Sequence, residues 1–472
     1  MTTEQELPKG WKIERLGDIA ISEKGKKPKN QSSEKTDTYC YPYVDIEAFE
    51  KGVIKSYTDG VKCVLCDEDD FLMVWDGSRS GLVGKGIKGA LGSTLVRISL
   101  PDINNLYAYY FLLSKYKEIN TRAKGSGTPH VDPDLLWNYA FPIPPNLETQ
   151  QAIVNKIESL FDEIDEGISR LKTAAQQIQQ YRQSLLKNAF NGELTKEWRS
   201  KHADTLPSEN ELLTQIQTTR EQLHAQQLAD WQTAVSQWEQ NGKEGKKPSK
   251  PKKLKEFIQL EGSFSNLPKG WCWVELSGIS SVIRIGPFGS LLHKADYINN
   301  QIPLINPSHI KNGKIIPDFQ LTVSKEKLNE LNNYIMREND IVIGRRGEMG
   351  RCAVVTSNEN GWLCGTGSMF VRPLNSVSSK FYAYIISSER VKDYLSNSSI
   401  GTTMQNLNEK ILQTVPVPLC STQEQLEILR ILDVNLTACD QLAAELAKQL
   451  KQAELLKQAV LKAAFSGSLL DK

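Results

Sequence analysis

The sequence predicts an α+β protein: two similar mixed α+β domains and two long antiparallel coiled-coil helices in a pseudo-two-fold, circular arrangement. Three observations lead there. The pentapeptide Leu-Pro-Lys-Gly-Trp stands at residues 7–11 and again, unchanged, at 267–271. Further motifs follow both copies in the same order, at an offset that drifts only from 260 to 275 residues. Each copy then closes on a stretch whose apolar residues recur at steps of three and four, the period of a helix. At 472 residues the chain is too long for one core, and two to four domains are expected.

The motif order establishes the duplication. Asp69-Asp70-Phe71-Leu72-Met73-Val74 parallels Asn339-Asp340-Ile341-Val342-Ile343-Gly344. Each run ends in an arginine and glycine loop, Gly77-Ser78-Arg79-Ser80-Gly81 in one copy and Arg345-Arg346-Gly347 in the other. Gly92-Ser93-Thr94-Leu95-Val96-Arg97 matches Gly367-Ser368-Met369-Phe370-Val371-Arg372. Gly127-Thr128 then Phe141-Pro142-Ile143-Pro144 matches Gly401-Thr402 then Val415-Pro416-Val417-Pro418. Both copies finish on Leu-Lys-x-Ala-Phe-x-Gly, at residues 186–192 and 461–467. A repeat this long is a tandem duplication of a domain unit, well beyond the ~20–50 residues of a solenoid repeat.

Residues 1–145 and 266–419 read as the mixed domains. Short β-branched and aromatic runs, such as Ile302–Ile305, alternate with Gly, Asn and Asp turns, and an aromatic-rich helix follows at 105–116 and at 378–394. The Pro-x-Pro pairs Pro142/Pro144 and Pro416/Pro418 forbid helix and force an extended exit.

Residues 146–192 and 420–472 read as the long helices. Ile153, Ile157, Leu160, Ile164, Ile168, Leu171, Ala175, Ile178 and Leu185 mark one narrow stripe. Ile428, Leu432, Leu436, Cys439, Leu442, Leu446, Leu450, Ala453, Leu456, Val460 and Ala463 mark the other. Narrow stripes on helices of about 35–40 residues, roughly 50–60 Å long, suit a coiled-coil seam. Packing onto the helix's own globular domain is the alternative, and the dense Gln, Lys and Glu of the other faces weigh against it. The simplest partner is the other helix. Antiparallel pairing would bring the chain's end back to its start; parallel pairing stays open, because residues 193–265 are long enough to loop back. That segment holds a polar helical stretch at 208–240, then a Lys- and Pro-rich tail at 242–256 that reads as a basic linker.

Composition limits the chemistry. The start of the chain carries no signal-peptide pattern and no run of about 18 apolar residues occurs, so a cytoplasmic protein without a membrane segment is expected. Cys63 and Cys66 form a lone C-x-x-C without a second pair, and the five histidines do not cluster, so no metal site is expected. A phosphate-binding G-x-x-x-x-G-K-[ST] loop, a G-x-G-x-x-G turn between strand and helix, and an Asn/Asp-Pro-Pro-aromatic methyltransferase motif are all missing. Glu244-Gly245-Lys246 sits in the linker with no acidic partner, so a nuclease centre is not expected either. The chain reads as non-catalytic.

What remains is loop chemistry suited to a duplex. In the first copy the candidates are Lys26 and Lys27, then Ser78, Arg79 and Ser80, then Lys124, Thr128 and His130. In the second they are Arg284, Ser290 and Lys294 around Gly286-Pro287-Phe288-Gly289, then Arg345 and Arg346, then Thr402, Thr403, Gln405 and Asn406. Arginine forks onto guanine O6/N7 or phosphate, and hydroxyl and amide side chains suit base edges. For each loop a solvated turn is the competing reading. Arg97 and Arg372 are expected to cap strands or pair with carboxylates instead. Residues 1–145 carry 19 basic and 20 acidic side chains and 266–419 carry 16 and 12, so counterion release over a broad face cannot supply tight binding.

The ordered set resembles the specificity subunits of type I restriction-modification systems. The L-P-x-G-W openings carry the resemblance, with the acidic strand that ends in an Arg/Gly loop. So do the P-x-P followed by Gln150 and Ile153, or Gln425 and Ile428, and the closing Leu-Lys-x-Ala-Phe-x-Gly. It implies two target-recognition domains, each reading half of an asymmetric, interrupted DNA sequence, with the helices as the spacer. It further implies two methyltransferase subunits, which use S-adenosylmethionine to methylate adenine, and restriction subunits driven by ATP and Mg2+, with no cofactor on this chain. The copies diverge most between residues 40–70 and 303–339, as two domains reading different bases would.

Overall fold

A computed structural model describes residues 7–125, 127–245, 247–251, 259–260, 267–398 and 406–470. The chain forms two compact units, Met1–Gln176 with Ala443–Lys472, and Gln177–Leu442. The division falls inside the two long helices, so each unit joins one globular part to a piece of both.

In the first unit a four-stranded antiparallel sheet has the spatial order Ile21–Lys24, Leu95–Ser99, Phe71–Val74, Val83–Lys85. A second sheet of five short strands contains the parallel pair of Tyr41–Val44 with Gly89–Leu91, and Lys12–Arg15 pairs antiparallel with Ala140–Ile143. The second unit repeats the plan: Ser280–Ile285, Ser368–Pro373, Ile341–Gly344, Cys352–Val354 in one sheet, Ile302–Ile305 parallel to Leu363–Cys364 in another, and Cys272–Glu275 against Pro416–Leu419. Each large sheet packs on an aromatic helix, Asn105–Thr121 in the first unit and Ser379–Ile386 in the second.

The repeated motifs build this frame. Asp340 is fully buried and takes two charge-assisted hydrogen bonds of 2.7 Å from Arg372, which joins the two central strands. Arg97 makes the corresponding link to Asp70 at 3.6 Å and also binds Glu23, in a more exposed setting. Both arginines therefore pair with carboxylates, as the sequence predicts. Gln150 and Gln425 are buried, and their side-chain oxygens accept the backbone N–H of Asn104 and of Ser378, the residues preceding the aromatic helices. Tyr107 and Tyr382 donate to the carbonyls of Pro142 and Pro418, tying the same helices to the Pro-x-Pro strands.

Leu147–Phe190 and Thr422–Phe465 are 44-residue helices. Within the first unit, Ile153, Val154 and Ile157 share a core with Val460, Leu461 and Ala464. Within the second, Leu185 and Ala189 share a core with Ile428, Leu429, Leu432 and Leu436. The start of one helix meets the end of the other in both units, so the pairing is antiparallel and the parallel alternative falls. A strict heptad of buried and half-buried positions runs along each helix: 157, 161, 164, 168, 171, 175, 178, 182, 185, 189 in one and 436, 439, 443, 446, 450, 453, 457, 460, 464 in the other. Leu442 and Leu456, expected on the stripe, are more than half exposed; Ala443 and Lys457 take the seam positions, because a 3.5-residue repeat, not local hydrophobicity, selects what faces the partner. Lys457 lies over the Phe161 ring and binds Asp165 at 2.6 Å; Arg182 binds Asp440. Lys457 and Arg182, like Asp440 and Asp165, are 275 positions apart, so one acid–base pair is written once in each unit.

The repeated pentapeptide has the same logic. Its glycine sits at positive φ, +92° at Gly10 and +85° at Gly270, in a turn closed by Trp11 N–H donating to the Pro8 carbonyl and Trp271 N–H to the Pro268 carbonyl. The turn receives the glycine that ends a long helix, and always the other copy's helix. A Cβ on Gly467 would lie 2.3 Å from Pro8, and one on Gly192 2.3 Å from Pro268. Both glycines are left-handed, at +79° and +80°, as helix-stopping residues are.

The surroundings of the two turns differ. Beside Trp271, buried Glu424 accepts from Trp271 Nε1 at 2.8 Å, Thr195 Oγ1 at 2.7 Å and Arg199 Nε at 2.8 Å, with Arg199 also stacked over the indole. Thr195 and Arg199 belong to the segment between the copies, which continues into the capped helix Glu209–Gln240. Beside Trp11 the position of Glu424 is held by Thr149, and a hollow of about 140 Å³ remains.

Two outcomes follow. Gly467→Ala should cost about 1–3 kcal/mol through strain and collision with Pro8, whereas Gly167→Ala, in open space on the first long helix, should be neutral or stabilising by up to about 1 kcal/mol; thermal unfolding midpoints separate them. Arg372→Met should cost about 3–5 kcal/mol by stranding buried Asp340, and adding Asp340→Asn should recover part of that loss.

Candidate nucleic-acid interface

In each unit the large sheet turns its strand ends and connecting loops to one edge. In the first, the register Lys24↔Val96 and Val74↔Leu95 brings the loops after Lys24, after Val74 and before Leu95 together. Gly25 lies so close to the next loop that a Cβ would sit 2.2 Å from the Gly92 carbonyl oxygen. The 124–130 loop joins through the bridges Asp76↔His130 and Lys124↔His130 and through Gly77 N–H donating to the Pro129 carbonyl at 2.7 Å.

Arg79, Lys124, Thr128 and His130 thus share this edge with Lys26 and Lys27, but their electrostatic states differ. Arg79 is paired with Glu50 of the helix Ile46–Lys51. Lys24 binds Asp76 at 2.8 Å. Lys124 binds Asp132 at 2.7 Å and Asp134 at 3.5 Å, and the hydrogen bond to Asp132 raises the ammonium pKa and lowers that of Asp132. Lys26 and Lys27 are exposed with no ion pair among the described residues. Ser78 and Thr128 are exposed and His130 is half-buried, whereas Ser80 is fully buried and cannot face a ligand; its carbonyl and that of Ser78 are held by Asn120 Nδ2.

In the second unit the register Ile285↔Met369 and Gly344↔Ser368 makes the equivalent edge. Its two arginines divide the work. Arg345 Nε donates to the Leu407 carbonyl at 3.0 Å and Nη1 to the Thr366 carbonyl at 3.4 Å. Burial, then the adjacent Arg346 charge, hold its pKa below the ordinary value. Arg345 is a brace between loops. Arg346 is exposed and donates Nε to Asn406 Oδ1 at 3.2 Å, and its Nη nitrogens have no partner among the described residues. Ser290 and Lys294 are exposed, while Arg284 lies on the strand Ser280–Ile285 and bonds the Asn333 carbonyl at 3.0 Å. Thr402, Thr403 and Gln405, like Ser126 of the first copy, lie outside the described residues.

Sequence reasoning missed Glu50 and Asn120, which hold the Arg79 loop; it placed Phe288 in a candidate contact loop without singling it out, and Phe288 is the most exposed aromatic on either edge among the described residues. Nothing local in the sequence marks Glu50 or Asn120; a Phe between Pro and Gly was legible. Among the described residues no group of three or more His, Cys, Asp or Glu could hold a metal, and no helix is long and apolar enough to cross a membrane.

The comparisons with known proteins agree with this duplicated plan. A family model described as the type I restriction modification DNA specificity domain matches residues 8–172 and 268–452. The MjaVIII specificity subunit of Methanocaldococcus jannaschii is 22% identical over 98% of this chain and 94% of its own length. The EcoDI specificity subunit of Escherichia coli is 24% identical over 98% and 89%. Among solved structures, a chain from a study of complex assembly and conformational transition of the type I R-M system superposes with a TM-score of 0.67 at 18% identity, over 98% of this chain and 99% of that one. The HsdS subunit of Thermoanaerobacter tengcongensis superposes at 0.52, also at 18% identity, over 99% and 100%. With the specificity domain present twice, once in each copy of the repeat, this chain belongs to the type I restriction-modification DNA specificity subunits.

Proposed function

We propose that each sheet edge reads one half of an asymmetric, bipartite duplex target, and that the antiparallel helices are the spacer between the halves. The observation that carries the reading is one edge built twice on the same frame with unlike side chains: Lys26, Lys27 and Arg79 on the first, Phe288, Ser290 and Arg346 on the second. A common frame with different contact residues is what two different half-sites require. A 44-residue helix is about 66 Å long, against ~3.4 Å per base pair, which suits halves more than one duplex turn apart.

Catalysis belongs, in this reading, to partners. Two methyltransferase subunits dock on the two equivalent surfaces of the repeat and methylate one adenine per half-site with S-adenosylmethionine. Restriction subunits, using ATP and Mg2+, join them for cleavage in the cytoplasm. The near-neutral charge fits a reader that makes few contacts and gains affinity from its partners.

Mapping methylated adenines in cells that express the chain with its methyltransferase tests this directly: two separated half-sites are expected. Exchanging residues 266–419 for those of a relative should change one half alone. Inserting a heptad into both helices should lengthen the gap by about three base pairs, and unchanged spacing would refute the spacer role. A scaffold with no interest in DNA would give no motif and no salt-dependent duplex binding. Within the complex, Arg346→Ala should cost about 1–3 kcal/mol of discrimination at one position. Replacing Lys26 and Lys27 by alanine should instead weaken all duplexes alike and reduce the salt slope by about two.

A further inference from the structure

The loop after Ile285 carries an apolar tip that the folded unit does not use. Phe288 is 61% exposed and Leu291 42%, brought together by a turn in which Leu291 N–H donates to the Phe288 carbonyl at 2.8 Å. Solvent-exposed Phe and Leu on one turn are unfavourable unless something covers them.

Both ends of the tip are fixed. Gly286 donates its N–H to the Ser368 carbonyl at 2.9 Å and lies so near Gly365 that a Cβ would sit 1.9 Å from that carbonyl oxygen. Pro287 is buried with its φ restricted by the ring, and Leu292 is buried in a small core with Leu304, Val323, Leu331 and Leu363. The tip is therefore held rather than floppy. The Arg345–Arg346 loop is rooted on the same turn, through Arg345 N–H donating to the Gly367 carbonyl at 3.0 Å, so the apolar tip and the exposed arginine stand on one edge.

The first unit differs at this place. After the equivalent Gly25 it has Lys26, Lys27, Pro28 and Lys29, a phosphate-binding composition, where the second has Pro287, Phe288, Gly289 and Ser290. Resting on the DNA-reading function proposed above, we infer that Phe288, backed by Leu291, is a wedge that enters a base step of the half-site read by the second unit and unstacks it, while the first unit grips its half-site through phosphates. An aromatic side chain flanked by cations suits duplex DNA: it replaces lost base stacking with its own face, and Arg346 and Lys294 meet the phosphates on either side.

The test uses the chain in complex with its methyltransferase and a duplex identified by methylation mapping. 2-Aminopurine is placed in turn at each position in and beside both half-sites, apart from the methylated adenines. The wild-type complex should brighten at one step of the second unit's half-site and at none in the first's. Phe288→Ala with Leu291→Ala should abolish that signal and weaken binding roughly ten- to hundredfold, the range of one base–aromatic stack. Phe288→Trp should retain both. Specific binding by the wild type with no brightening at any such step would overturn the wedge and leave DNA reading intact, whereas absence of specific binding by the wild type would overturn DNA reading itself. If the double variant instead loses its methyltransferase in sedimentation without DNA, the tip is a protein-docking surface and the wedge is wrong.

Discussion

Each long helix ends on a left-handed glycine pressed against the proline of the opposite copy's opening turn, and that contact decides how the chain closes. Gly192 belongs to the first repeat but meets Pro268 of the second; Gly467 belongs to the second but meets Pro8 of the first. Neither copy can complete its own unit. The exchange forces the helices to run antiparallel within each unit, and Lys457 and Arg182 occupy equivalent seam positions, each paired with an acid on the rim of the opposite helix, Asp165 and Asp440. A charged residue on a coiled-coil seam is tolerated where its partner stands and penalised elsewhere, so these pairs hold the register as well as the direction.

The motifs that relate the two copies are almost all structural. Pro8 and Pro268 seat helix ends, Gln150 and Gln425 bond the start of the aromatic helices, and Asp340 with Arg372 staples the central strands. These residues sit away from the sheet edge, where the copies share an Arg/Gly loop and otherwise carry unlike side chains. A frame that must fold the same way twice keeps its buried polar partners, since losing one strands the other. The edge is free to vary because each change there alters a ligand contact and leaves the core intact.

This division also explains what could be read from the sequence. The duplication, both long helices, the 208–240 helix and the carboxylate pairing of Arg97 and Arg372 were legible, because periodicity and repeated motifs report buried structure. The seam was less so: Lys457 and Ala443 occupy positions that a search for large apolar residues assigns to Leu456 and Leu442. The site was least legible. Arg79 and Arg346 look alike in the sequence, yet one is neutralised by Glu50, 29 residues upstream in another sheet connection, and the other has two nitrogens with no partner among the described residues. Adjacent Arg345 and Arg346 differ as completely, one a buried brace and the other an exposed probe, because only the first meets the Leu407 and Thr366 carbonyls. The divergence of Glu424 from Thr149 shows the same limit: the buried Arg199–Glu424–Trp271 cluster depends on Arg199 of the segment between the copies, which lies outside the repeated motifs.

Site-directed cross-linking tests the crossed seating most directly. In a chain with Cys40 and Cys63 changed to serine, cysteines at Lys9 and Ser468 should join within a single chain through a short bis-maleimide, and so should cysteines at Lys269 and Glu193. If Lys9 joined Glu193 instead, or if the linked products were dimers at every dilution, each helix would be seated on its own copy or on a second molecule, and the account of how this chain closes would be wrong.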